Sequence, residues 1–453
     1  MSGARAPRPK PSTQPPTSVS KPARKARQDA SSDFAETPRT PIWRRIPLVA
    51  MGISVAVVLT GAAAAQPILD AATRAEVAEA YLVRPLGYIA IAPVSDVLDT
   101  LTLLSGRQHV ALLAGVLLLF ALSRGWQAFR GTVSWRQHLV ASAVLLLGIV
   151  VTYAAAAIMP RPMAALAADN ANLVKIDFHS HTTASHDGHQ GVEELREWHR
   201  RAGYDVAFVT DHAAVSAAER GMANNPNPAG AGVTLLQGIE TSWAGEHVSI
   251  PGAQRIYKGA LTENLANVDT QGLRLSSLVP GREPVVIWNH PRQLGRLAPA
   301  TGPGTAGIRA LEIVNGAPKD IDRVRANREL IVEMAQDVNM ALVSGSDNHG
   351  FGRTTPAWTL MLIVGWRGAN SDELAREIDR VLRDGRYGAT KVVERRVADP
   401  GASAVVLALS VLTIPVRMMT TLSTDERVAW LIWIWLVVAL RWTMRRRRAN
   451  TTA

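Results

Sequence analysis

Hydrophobic positions fall into two regimes along the chain. Residues 46–65, 108–123 and 139–159 are nearly unbroken apolar runs, and two more occupy residues 402–416 and 428–440. Between about 173 and 394 the pattern changes to apolar segments of four to seven residues, separated by polar stretches of helical period. About 20 apolar residues suffice to cross the hydrocarbon core of a bilayer, so the first regime predicts membrane helices. The second predicts strands at 174–178, 206–210, 233–239, 285–289, 310–314, 341–344 and 359–364, with helices near 191–202, 321–337 and 371–384. Strands alternating with helices imply an α/β domain with a mainly parallel sheet or barrel, whose ligands collect at the carboxyl ends of the strands.

Charge orders these pieces. The net charge of +11 sits at the two ends: residues 1–45 carry +7 and residues 401–453 carry +5, while 46–160 carry +1 and 161–400 carry −2. Residues 1–45 therefore read as a disordered basic tail, 46–160 as a membrane region, 161–400 as a soluble domain and 401–453 as a second membrane piece with a basic end. The turn between the second and third runs carries Arg124, Arg130 and Arg136 and no acid, which places it with the tail on the cytoplasmic side. A short repeat refines the topology. Leu104-Ser105, Val110-Ala111 and Ala121-Leu122 reappear 318 residues later as Leu422-Ser423, Val428-Ala429 and Ala439-Leu440. Each copy is expected to be a surface-lying helix (residues 83–103 and 402–421) leading into one crossing. The expectation is four crossings, both termini inside, and the 161–400 domain outside the cytoplasm, in the inner membrane of a bacterial cell. The near-neutral domain gives no reason to expect specific nucleic-acid binding.

The candidate chemistry lies in the soluble domain. Nine of the eleven histidines fall between His179 and His349, and the chain has no cysteine, so thiolate sites and disulfides are excluded. Five expected strand ends carry imidazole or carboxylate: Asp177-Phe178-His179-Ser180-His181, Thr210-Asp211-His212, Gly238-Ile239-Glu240 followed by Glu246-His247, Asn289-His290-Pro291, and Ser346-Asp347-Asn348-His349. A His-x-His pair on an extended segment projects both rings to one side. Clustered divalent ions repel one another, so carboxylates must neutralise or bridge them while neutral imidazoles complete the coordination.

These ordered motifs, with Asp187-Gly188 six residues after His181, resemble the polymerase and histidinol phosphatase (PHP) family over about 220 residues. The resemblance implies a distorted (β/α)7 barrel, joined here to about four transmembrane helices, and two or three divalent ions (zinc, manganese or iron). It implies that His179, His181 and Asp347 hold one metal and that Glu240 bridges to a second. His212, His247, His290, Asp187 and His349 would complete the set. Asp177 and Asp211 are expected to orient neighbouring imidazoles. His199 is expected at the surface, His186 and His189 near the entrance, and Glu312 and Asn315 as loop-fixing or site-lining groups.

The expected function is a membrane-anchored phosphoesterase that hydrolyses a monoester or diester with a metal-bound hydroxide. His290 or His349 would protonate the leaving group, and Arg292, Arg296 or Arg353 would meet the phosphoryl charge. The expected partners are the bilayer and a phosphorylated small-molecule or envelope substrate. The alternatives are an amide or ester hydrolase of the same fold, or a membrane-tethered sensor that uses the site only for binding.

Overall fold

A computed structural model describes residues 47–451 apart from 213, 244, 254–276, 283, 299–300, 302–307 and 402, with side chains described to Arg447. The expected basic tail at 1–45 lies outside the described residues. In chain order, helix α1 (Leu48–Ala62) leads to strands β1 (Ile68–Asp70) and β2 (Ala80–Val83). Helices α2 (Leu86–Ala90), α3 (Ala92–Thr102), α4 (Gly106–Phe129) and α5 (Trp135–Ile158) follow. The α/β portion contains β3 (Ala165–Ala168), β4 (Leu173–Asp177), α6 (Val192–Ala202), β5 (Val206–Val209), α7 (Ser216–Ala223), β6 (Thr234–Trp243), β7 (Glu246–Pro251) and β8 (Val286–Asn289). It continues through α8 (Leu294–Leu297), β9 (Ile308–Asn315), α9 (Pro318–Asp337), β10 (Ala341–Gly345), β11 (Ala357–Leu362), α10 (Ser371–Asp384) and β12 (Thr390–Arg395). Helices α11 (Ala404–Ala408), α12 (Ser410–Thr420) and α13 (Thr424–Thr451) end the described chain.

Ten strands form one curled sheet in the order β1-β12-β11-β4-β5-β6-β7-β8-β9-β10. The pairs β4–β5, β5–β6, β8–β9 and β9–β10 are parallel, whereas β7 runs antiparallel to both its neighbours. The curl brings β10 back to β4: the Phe178 N–H donates to the Ser344 carbonyl and the Asp347 N–H to the His179 carbonyl. Alternate residues feed two separate cores. Val286, Trp288, Leu311, Ile313 and Leu342 pack in one, while Ile287, Ala310, Ala341 and Val343 pack in the other with Val174, Ile176 and Phe208. Burial on both faces suits parallel strands, and each large side chain withdrawn from water contributes about 1.5–3 kcal/mol.

All seven expected strands form, within a few residues of their expected limits. Three others in the main sheet, β1, β7 and β12, were not anticipated. The β7 strand follows β6 through a tight turn at Gly245, whose φ of +79° suits glycine. The β12 strand pairs antiparallel with β11 and β1.

Among the described residues, three helices are long and apolar enough to cross a membrane: α4, α5 and the first 24 residues of α13. That is one fewer, among the described residues, than the four expected. The first apolar run gives α1, which starts after Pro47 and has only 15 described residues. At 1.5 Å per residue it is about 22 Å long, against a core of about 30 Å.

The repeat, in contrast, extends to element boundaries. The broken helix α2–α3 and the broken helix α11–α12 start, break and stop 318 residues apart, with the breaks at Ile91 and Leu409. Each is followed by a capping serine: Ser105 accepts from the Gln108 N–H, and Ser423 from the Glu426 N–H. The Gln108 and Glu426 side chains accept in return from the Ser105 and Ser423 N–H groups. The copies pack reciprocally, α3 against α5 and α13, and α12 against α1 and α4.

Candidate metal centre

Parallel strands deliver their carboxyl ends to one rim, and that rim gathers all nine expected ligands. Beyond β4, His179 and His181 face each other with Nε2 atoms 3.1 Å apart. Glu240 Oε2 lies 3.2 and 3.3 Å from these two nitrogens, and Asp347 Oδ1 lies 3.5 and 3.3 Å from them. His212 Nε2 is 3.4 Å from the same Glu240 oxygen and 3.6 Å from Asp187 Oδ2, which is itself 3.3 Å from His349 Nε2. The other Glu240 oxygen, Oε1, is 2.7 Å from His247 Nδ1 and 3.8 Å from His290 Nε2. Glu240 thus sits between two groups of imidazoles, one on each oxygen.

The surrounding structure fixes these rings. His179 Nδ1 lies 3.2 Å from Glu312 Oε1, and His349 Nδ1 lies 2.8 Å from the Asp347 carbonyl. A proton on each Nδ1 would leave Nε2 with a lone pair toward the cluster. The Glu312 carboxylate also accepts from the His290 N–H and from Asn315. Both His290 and Asp347 are held at positive φ, 28° and 46°, an unfavourable conformation for residues with a side chain. Gly345 permits the close approach: a Cβ there would lie 2.0 Å from Glu312 Oε1 and 2.4 Å from the His179 Cβ.

The electrostatics are those of buried anions that need cations. Burial alone would raise the Glu240 and Asp347 carboxyls, but the neighbouring histidines hold both well below the usual range. Burial would lower the His179 and His181 imidazoles, yet the carboxylates outweigh it and push His181 up to about 9 and His179 well above its ordinary value. His212, with burial and the nearby His181 acting together, is pushed down to about 4. Protons here do the work that a divalent ion can do, and an ion would free the imidazoles to act as neutral ligands. The donor set fits such ions. Among the described residues, four groups of ligand atoms lie mutually within 4.8 Å: His179, His181 and Asp347; His181, Asp187, His212 and His349; Glu240, His247 and His290; and His290, Asp320 and Asp347. Among the described residues, the buried Nδ1 atoms of His181 and His290 also lack a hydrogen-bond partner.

Other expected groups fall differently. His199 is fully buried, not at the surface, and its Nε2 lies 2.7 Å from Asp177 Oδ2. Its place on the α6 stripe with Leu195, Trp198 and Ala202 was the available signal. Asp177 therefore holds a remote imidazole, and its other oxygen accepts from the His179 and Ser346 N–H groups. Asp211 holds no imidazole; it accepts from the Thr182 N–H and hydroxyl. His186 is exposed beside Asp187 and His212, and His189 packs on Phe351. Asp320, at the start of α9 and 3.7 Å from His290 Nδ1, is a buried carboxylate that no motif had marked. The half-buried Arg353 has Arg201, Arg161 and Glu194 as its electrostatic neighbours. Arg292 is tied through its N–H to Glu246, and Arg296 reaches the Gly245 turn.

No family model matches the chain, and no curated protein does. Among solved structures, PsfC from Pseudomonas syringae is similar at 16% identity and a TM-score of 0.33, over 52% of this chain and 96% of that one. A two-domain protein from Bacteroides vulgatus containing a predicted PHP-like metal-dependent phosphoesterase is similar at 17% identity and a TM-score of 0.31, over 49% and 65%. An amidohydrolase from Chromobacterium violaceum with bound sulfate is similar at 17% identity and a TM-score of 0.24, over 38% and 87%. At such scores the chemistry of the site rests on its own side chains.

Proposed function

We propose that the chain is a membrane-anchored, metal-dependent phosphoesterase of PHP type, with its distorted (β/α)7 barrel outside the cytoplasm. The observation that carries this reading is Glu240, with His179, His181 and His212 around one oxygen and His247 and His290 around the other. Ions held there would supply an acidified water and positive charge for the phosphoryl oxygens. His179, His181 and Asp347 would hold one ion, and His247, His290 and Glu240 another. Asp187, His212 and His349 form a more exposed group suited to a third.

With two ions bound and none on His349, the leaving oxygen takes its proton from His349 Nε2 in this reading; an ion held on that nitrogen would remove the role. The His349 side chain is 20% exposed and lines the open cavity over the site, whereas that of His290 is 2% exposed and enclosed by carboxylates. Lys319, on the cavity wall, would meet phosphate charge in the role expected of Arg292, Arg296 or Arg353.

The helix ends support this sidedness. The arginines at 124, 130 and 136, and those from 445 onward, fall at the ends of α4, α5 and α13 remote from the domain.

One observation favours the second reading, an amide or ester hydrolase: among the described residues, the cavity lining holds a single lysine and no arginine. Full-length protein stripped of metal and reloaded with zinc, manganese or iron separates the two. The proposal expects turnover of p-nitrophenyl phosphate or bis(p-nitrophenyl) phosphate only after loading. His349→Ala should cut the rate on an alkyl phosphate about 100-fold or more. Turnover of p-nitrophenyl acetate or an anilide with none of either phosphoester would move the assignment to the second reading.

A further inference from the structure

The candidate centre opens into a cavity of about 550 Å³, within the size range of small-molecule sites. One wall is the catalytic rim, through Asp187, Asp347 and His349. The opposite wall is membrane helix: Leu101 and Thr102 at the end of α3, His109 on α4, and Tyr153, Ala156 and Ala157 on α5. His109 Nδ1 and the Tyr153 hydroxyl lie 3.0 Å apart there, the one polar pair on an otherwise mostly apolar wall. Phe351, two residues beyond His349, adds an aromatic ring that is 53% exposed.

Depth decides what such a cavity can receive. His109 is the fourth residue of α4, and Tyr153 is five residues before the end of α5. At 1.5 Å per residue they lie about 5–8 Å inside the helix ends. A 24-residue helix of about 36 Å exceeds the 30 Å hydrocarbon core by about 3 Å at each end, so the wall reaches the boundary between headgroups and acyl chains. The two walls are locked together. Asp99 on α3 accepts from Arg161 and Thr354, and the Gly352 N–H donates to the Ala157 carbonyl at 2.7 Å. A soluble phosphoester has no use for this placement.

We infer that the substrate is a lipid phosphoester taken from the bilayer. Its phosphate would stand against the Asp187–His349–Asp347 wall, and its hydrocarbon would leave along Leu101, Ala157 and Phe351 into the adjoining leaflet. The step is the hydrolysis already proposed, on which this inference rests: water adds to phosphorus, the bond to the leaving oxygen breaks, and that oxygen takes a proton.

The test uses metal-loaded, full-length protein in phosphatidylcholine nanodiscs. Dioleoyl phosphatidic acid is compared with glycerol 3-phosphate, and dioleoyl phosphatidylglycerol with glycerophosphoglycerol, with p-nitrophenyl phosphate as the common reference. At least one lipid should exceed its headgroup by about 100-fold in kcat/KM. Ala157→Trp, which fills the cavity, and Phe351→Asp, which charges its mouth, should each lower that ratio at least 10-fold. Turnover of p-nitrophenyl phosphate with no lipid preference, or a ratio unmoved by both variants, overturns the lipid inference and leaves the phosphoesterase reading standing. No turnover of any phosphoester, the reference included, overturns both. A diazirine-bearing phosphatidic acid gives a readout independent of turnover: it should label residues 98–112 and 150–158, and labelling elsewhere alone would contradict the inference.

Discussion

The two helical repeats share boundaries, break points and capping boxes, yet their inward side chains have diverged. In the first copy, Asp99 accepts from Tyr88, Arg161 and Thr354 and lies 3.5 Å from Arg395, which binds the long apolar helices to the α/β domain. The equivalent residue 318 positions later is Arg417, which is exposed. Asp96 accepts from Tyr88 and Trp430, where the second copy has the buried apolar Ile414. His109 meets Tyr153 on the cavity wall, whereas its counterpart Arg427 donates to the Val57 and Met419 carbonyls and to Thr60, tying α13 to α1 and α12. One scaffold thus serves twice: the first copy grips the α/β domain and lines its cavity, and the second holds α1. A few buried polar side chains set the difference, because a paired charge buried at a seam admits few alternative partners.

The largest expected contrast is between Asp99→Ala and Arg417→Ala. Removing Asp99 leaves the fully buried Arg161 without its carboxylate, and should cost about 3–5 kcal/mol in denaturant unfolding of the solubilised protein. Arg417→Ala should cost less than about 1 kcal/mol. Equal losses would erase the division of labour. A smaller effect sharpens the same comparison from the other side. Ser105→Ala and Ser423→Ala each remove one helix cap and should cost about 1 kcal/mol apiece. A large inequality between them would show that the shared boundaries conceal different energetics.

Much of the candidate site was legible because its residues sit at strand ends, where period-two patterning fixes direction and parallel pairing fixes the rim. Local pattern placed His179, His181, Glu240 and Asp347 at strand ends, and the resemblance to the PHP family implied that they share a site. Glu312 was noticed, but its double duty to His179 and His290 depends on β9 lying beside β10, a pairing that no local pattern encodes. Asp320 belongs to a helix start and reaches the site only through the packing of α9 on β9. His199 was misread because charged neighbours outweighed the apolar stripe on which it lies. The cavity was the least legible feature. It depends on Gly352 meeting Ala157, residues nearly 200 positions apart, and hydrophobic runs say only that helices exist, not which domain face they cover.

The central claim, that buried carboxylates and imidazoles on this rim hold divalent ions for phosphoester hydrolysis, is tested most directly by elemental analysis of the full-length protein beside its Asp347→Ala variant. Asp347 takes part in two of the four donor groups and lies within 3.5 Å of both His179 and His181. The account predicts two or three bound ions per chain in the parent protein, at least one fewer in the variant, and loss of phosphoester turnover with it. A parent protein that binds no ion after reconstitution, or a variant that keeps both its metal content and its turnover, would contradict the account.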